Sequence, residues 1–195
     1  MAKLLVILAI LVVGLVAFAV LRDRTPRLLP GQIRGAWLAA SGDATLESPA
    51  GLAALRSLRE LGADTIAVFP DVLMPDITKP GFTYGERDAE LRAFMRAAKA
   101  SGLGVFLLPR IESPVFFAPP HPWRADIKMA DAADWPQFHA DFTKLVRHYG
   151  ALAKEEGATV FGIGLEYRAA VREHADAWRA IAREAKAAFG GPITY

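Results

Sequence analysis

Cysteine is absent from all 195 residues, which excludes disulfides, thiolate metal sites and a Cys nucleophile. A charge excess of either sign is missing as well. The 23 Lys and Arg are interleaved with 21 Asp and Glu, for a formal net charge of +2 at pH 7. A nucleic-acid-binding face needs clustered basic residues to displace counterions, so nucleic acid is not an expected partner. The Gly-rich phosphate fingerprints GxGxxG and GxxxxGK[ST] do not occur, which removes the main support for a nucleotide-binding open sheet. HExxH is absent, and His121, His139, His148 and His174 have no metal-ligand spacing. No serine lies in GxSxG. The expectation is therefore a protein without cofactor or metal.

What the chain does have is apolar residues, 53% of the total, and they are unevenly placed. Leu4 to Leu21 is an unbroken apolar run of 18 residues. As a helix it would span about 27 Å, close to the thickness of a bilayer's hydrocarbon core. Residues 1–21 thus read as a signal anchor, or as a signal peptide cleaved near Ala19, where Ala17-Phe18-Ala19 has a small-x-small pattern. Arg22, Arg24 and Arg27 follow at once, and favour the anchor. Two orientations compete: the more basic C-terminal flank would put the globular part in the cytoplasm, whereas a very short tail with one Lys, Lys3, stays inside and puts it outside; the expectation is outside the cytoplasm. Residues 22–32 carry Pro26 and Pro30 without periodicity and read as a linker.

From residue 33 onward one junction recurs: an amphipathic helix, a Gly-containing stop, then a short apolar strand. Gly62 precedes Thr65-Ile66-Ala67-Val68-Phe69, and Gly102 precedes Val105-Phe106-Leu107-Leu108. Gly157 precedes the stretch Thr159 to Gly164, and Gly190-Gly191 precedes Ile193-Thr194-Tyr195. Leu91, Phe94, Met95 and Ala98 follow the helical period, as do Phe138, Phe142, Leu145, Val146, Tyr149 and Leu152 after a candidate N-cap at Asp134. With Ile33 to Leu38 as the first strand, five strands alternate with four helices. Strict alternation implies parallel strands joined by right-handed crossovers. The fold class is α/β, a partial (β/α)8 TIM barrel of about five strands, covering residues 33–195. Long loops, Pro70 to Glu86 and Pro109 to Asp134, leave the C-terminal strand ends, where barrel enzymes build their sites.

The fourth strand points to chemistry. By alternation Phe161, Ile163 and Leu165 share one face, and Val160, Gly162, Gly164 and Glu166 the other. Two glycines beneath a carboxylate leave open space, and Glu166 would stand at the barrel mouth. It is either a catalytic acid or a structural partner of Arg110 or Arg168. Trp37 closes strand one, and Trp123 lies in the third loop beside Phe116 and Phe117. Such aromatics could stack on sugar rings or simply pack on the rim. Asp71, Arg110 and Glu112 follow strand ends, where rim ion pairs are common.

The stretch from Leu55 to Tyr195 resembles the glycoside hydrolase family 113 mannanases, retaining (β/α)8 glycosidases. The resemblance is carried in order by Leu58 to Ala67, Ala98 to Val105, Tyr149 to Gly157, Gly164-Leu165-Glu166, Trp178 to Ile181, and Gly191 to Tyr195. It implies that Glu166 is the acid/base of a retaining hydrolysis of β-linked, mannan-type polysaccharide. Apart from the resemblance, Trp37, Asp71, Arg110, Trp123 and Tyr167 are candidate substrate-binding residues from their places at strand ends and in the loops that follow. By the clan pattern the second carboxylate, the nucleophile, ends strand seven. A chain reaching only strand five is expected to lack it, to be inactive alone, and to need a missing C-terminal half-barrel or a second copy of itself. Two rivals stand beside this reading. One is a non-catalytic, envelope-anchored partial barrel that binds glycans or a partner. The other is an unrelated barrel enzyme in which Glu166 is only structural.

Overall fold

A computed structural model describes residues 33–38 and 48–195. The expected membrane segment, residues 4–21, and the linker, residues 22–32, lie outside the described residues. Among those described, no helix is long and apolar enough to cross a membrane.

The elements of the compact unit Arg34–Tyr195 follow in chain order. They are β1 (Gly35–Trp37), α1 (Pro49–Glu60), β2 (Thr65–Val68), β3 (Asp71–Leu73), α2 (Asp88–Ala100), β4 (Gly104–Leu107) and β5 (Arg110–Glu112). Then come α3 (Trp135–Glu155), β6 (Val160–Gly162), α4 (Arg168–Glu173), α5 (Ala175–Phe189) and β7 (Ile193–Thr194). Strands β1, β2, β4, β6 and β7 form one sheet in that spatial order, every neighbouring pair parallel. These are the five expected strands, in sequence order across the sheet.

A second parallel ladder was not expected. β3 pairs with β5, Asp71 opposite Arg110 and Leu73 opposite Glu112. It continues the register of the first, in which Val68 stands opposite Leu107. Both chains are interrupted by a proline, Pro70 or Pro109, which has no N–H to give to a ladder. Hydrogen bonds from Leu108 N to Val68 O and from Arg110 N to Pro70 O, each 3.0 Å, carry the pairing across the break. The segment after β5, expected as a loop, is ordered by 3₁₀ turns at Pro114–Phe117, Arg124–Asp126 and Ala132–Asp134.

The helices begin and end for local reasons. Ser48 Oγ accepts from Gly51 N at 3.1 Å and Pro49 fills the first turn of α1, where a missing N–H costs nothing. Asp134 precedes α3 but its side chain caps nothing. The capping acid is Asp131, whose Oδ1 accepts from Ala133 N at 2.8 Å in the preceding turn. Gly190 ends α5 at φ 82°, returning its N–H to Lys186 O at 2.8 Å; only glycine takes that conformation without cost.

The periodic apolar positions are the core. Phe94, Met95, Phe138, Phe142, Leu145, Tyr149, Trp178 and Ile181 are all buried, as are Ile66, Val105, Leu107 and Phe161 from the sheet. Helices α3 and α5 pack through Phe142 against Trp178, with ring centroids 4.8 Å apart. The C-cap of α3 is pinned to α2 by charge. Buried Glu156 accepts from Arg92 at 3.1 Å and from Arg96 at 2.6 and 2.8 Å. These bonds, Arg96 first, hold its carboxyl below the usual range against the opposing effect of burial.

Candidate active site

Glu166 reaches the mouth by a route other than strand alternation. β6 stops at Gly162, and Glu166 itself stands at φ 66°, left-handed backbone that a β-carbon penalises. The turn is closed by Arg168 N donating to Glu166 O at 2.7 Å. The space expected beneath the carboxylate is filled. A Cβ on Gly162 would come within 2.3 Å of Leu108 Cδ1 and 3.0 Å of Phe106. One on Gly164 would meet the Tyr195 ring at 2.4 Å. The two glycines let neighbouring side chains cross the interior; they do not leave it empty.

The Glu166 side chain is 50% exposed. Trp123 Nε1 donates to its Oε2 at 2.7 Å, and Arg124 Nη1 lies 3.9 Å from the same oxygen. Neither Arg110 nor Arg168, the two partners weighed from the sequence, takes this place. Arg168 lies 3.9 Å from Asp126. Arg110 Nη2 donates to Asp71 Oδ1 at 3.0 Å. Arg110 Nε stands 2.8 Å from Glu112 Oε1, an ion pair at an angle unsuited to a hydrogen bond.

Arg124 organises the site and was not singled out by its sequence context. It is buried, donates from Nε to Ile111 O at 2.7 Å and from Nη2 to Glu112 Oε1. Its guanidinium lies 4.4 Å from the Trp123 ring centroid and 5.5 Å from that of Phe116. A charged Arg directly after an aromatic in a Pro-rich loop is the only sequence signal it offers. The result is a row of alternating charge, Asp71, Arg110, Glu112, Arg124 and Glu166, running from β3 across β5 to the β6–α4 turn.

The remaining candidates divide. Trp37 is 56% exposed and meets Phe69 edge-on at 5.9 Å, open to a ligand. Trp123 is 43% exposed and bound to Glu166. Tyr167 is a correction: it is buried at 1% exposure, so it offers no surface to a substrate. Its hydroxyl accepts from Ile111 N at 3.2 Å, and burial pushes the phenol above its ordinary range. Ile111 thus spends both backbone groups on the site, its N–H on Tyr167 and its C=O on Arg124.

A cavity of about 400 Å³ lies alongside, lined by Phe69, Asp71, Tyr84, Asp88, Glu112 and Tyr149 among others. It shares Asp71 and Glu112 with the charged row but does not reach Glu166, which opens directly to solvent. Among the described residues no group of three or more His, Asp or Glu is placed to hold a metal ion.

Comparison with known proteins follows the same lines. The model of Glycoside Hydrolase Family 113 matches residues 36–195. Among solved structures, the GH113 beta-mannanase AaManA from Alicyclobacillus acidocaldarius, in complex with ManMIm, is 24% identical with a TM-score of 0.72. The match covers 84% of this chain and 53% of that one. A second GH113 beta-1,4-mannanase is 23% identical with a TM-score of 0.71, over 84% and 54% of the two chains. A GH5_18 protein from Streptomyces cattleya, in complex with Manb1-4GlcNAc, is 18% identical with a TM-score of 0.54, over 83% and 43%. No curated protein sequence matches. These likenesses are of fold: an α/β architecture of the (β/α)8 barrel type, carried here in part. The chain spans about half the length of the mannanase structures it matches.

Proposed function

Since the chain belongs to glycoside hydrolase family 113, we propose that it forms the N-terminal part of a retaining glycosidase for β-linked, mannan-type polysaccharide, with Glu166 as general acid/base. The observation that carries this is the half-exposed Glu166 carboxylate, fixed by Trp123 at 2.7 Å on the rim that the β6–α4 turn builds. In such a reaction one carboxylic acid protonates the leaving oxygen while a second carboxylate attacks the anomeric carbon. Glu166 then takes a proton from water to release the sugar. Trp37 offers an apolar face to a sugar ring, and Asp71 and Arg110 offer hydroxyl partners. The nucleophile belongs to a later strand of the complete barrel. Residues 4–21 hold the protein at a membrane with the globular part outside the cytoplasm.

The test is Glu166→Gln in a protein that completes the barrel, assayed on β-mannan. Loss of a general acid costs about 10²–10⁴-fold in rate, with folding nearly unchanged. Near-normal turnover of substrates with poor leaving groups would leave Glu166 a structural role.

The second reading, a glycan- or partner-binding partial barrel without catalysis, draws on the exposed Trp37 and Tyr195, each 56% exposed on an outer strand or directly after one. Calorimetric binding of manno-oligosaccharides that survives Glu166→Gln, without turnover in the completed barrel, would favour it.

A further inference from the structure

The two oxygens of Glu166 are not equivalent. Oε2 receives the Trp123 indole N–H at 2.7 Å and faces Arg124 Nη1 at 3.9 Å. Both neighbours are donors only: an indole N–H and a guanidinium have no lone pair with which to accept a proton's hydrogen bond. A proton placed on Oε2 would point at one donor and lie beside a fixed positive charge. A proton on Oε1 meets neither.

We propose that Trp123 is a positioning residue that reserves Oε2 of Glu166 as an acceptor, so that Oε1 is the oxygen that carries and delivers the catalytic proton. The inference rests on Glu166 being the acid/base. In the acid step the glycosidic bond breaks and its electron pair goes to the leaving oxygen, which takes the proton from Oε1. The anomeric carbon is taken by the second carboxylate, and Glu166 remains a carboxylate with Trp123 still bound at Oε2. The same geometry returns the proton to Oε1 in the second step.

The surroundings hold Trp123 for this task. Both of its backbone groups are tied to Asp126: Trp123 N donates to Asp126 Oδ2 at 2.9 Å, and Asp126 N donates to Trp123 O at 2.8 Å. The backbone from Trp123 to Asp126 is thereby closed into a turn. The ring rests on the Arg124 guanidinium at 4.4 Å and against Phe116 at 5.4 Å. Arg124 is in turn buried and anchored to Ile111 O and Glu112. Aiming a donor at one oxygen is how an enzyme fixes a carboxyl's orientation before the reaction instead of during it.

Two spectra of the full 195-residue chain in detergent micelles test the assignment. In Glu166→Gln the indole proton of Trp123, identified by its absence from Trp123→Phe, shifts upfield and exchanges faster with solvent, having lost a charged acceptor. In Trp123→Phe, which keeps a ring over Arg124 but no donor, the carboxylic C=O stretch of protonated Glu166, isolated by subtracting Glu166→Gln, moves to higher frequency. An indole proton indifferent to Glu166→Gln overturns the proposal, as does an unmoved C=O band; if Trp123→Phe fails to fold, the first spectrum decides alone. Neither readout requires turnover. A protein that passes both yet hydrolyses mannan independently of Glu166 in the completed barrel would refute the acid/base reading and leave the hydrogen-bond assignment standing.

Discussion

Glu166 holds its carboxylate at the rim from a left-handed backbone, φ 66°, a conformation that costs a residue with a β-carbon about 1–3 kcal/mol. Three contacts keep it there: Arg168 N bonds to its carbonyl, Tyr167 is buried and tied to Ile111, and Trp123 holds the side chain. The glycines just before it are part of the same arrangement, because the chain passes against Leu108, Phe106 and Tyr195 with no room for a β-carbon. Gly162→Ala is therefore expected to destabilise the protein by about 1–3 kcal/mol, the usual cost of overpacking. The Leu108 side chain can yield at its end, but its Cβ, 3.1 Å away, cannot. A denaturant midpoint equal to the parent's would show that the interior is loose here.

At the level of elements, the α3–α5 contact carries a pH dependence. His139 on α3 and His174 at the head of α5 have ring centroids 5.0 Å apart, and both lie on Trp135, at 5.4 and 4.0 Å. Burial first, and the neighbouring His174 second, lower the His139 pKa from its ordinary 6.5. The unfolded chain then binds the proton more readily than the folded one, so this group costs nothing above about pH 6.5 and destabilises as pH falls below it. Thermal unfolding of His139→Gln should show a smaller loss of midpoint between about pH 7.5 and about pH 5, on either side of that ordinary value, than the parent. Equal slopes would remove His139 from the account. The opposite sign belongs to Glu156, whose lowered carboxyl stabilises at neutral pH and loses that contribution only in acid.

For the whole molecule, the outer strands matter most. β1 and β7 have no partner on their outer sides among the described residues, and unpaired strand edges recruit other chains. Residues 32–195 are expected to associate in solution, measurable as a mass above that of one chain. They are also expected to hydrolyse no glycoside by themselves, since retaining chemistry needs two carboxyl groups at one anomeric centre. A well-behaved monomer with Glu166-dependent turnover would overthrow both expectations. The apolar run of residues 4–21 leads to a separate one: the tagged full chain fractionates with membranes, and a chain beginning at Gln32 does not. Recovery of the intact, uncleaved full chain in soluble cytosol would refute it.

The sequence by itself determined the five strands, their order and the helices between them, because hydrophobic periodicity and the Gly stops act over a few residues. Gly62, Gly102, Gly157 and Gly190 all lie at the expected helix ends with positive φ. It also singled out Glu166, through its place after an apolar strand and through its likeness to a family. Only the tertiary structure decided what surrounds that carboxylate. Trp123 is 43 residues away from Glu166 in the chain, with a helix and a strand between them, and the loop that carries Trp123 has no period from which a contact could be read. The ladder of β3 and β5 stayed hidden because prolines cut each strand into pieces of three or four residues, too short for an alternation signal. Tyr167 looked available because neighbours in sequence share a turn; a left-handed residue before it sends the two side chains apart, one to solvent and one into the core.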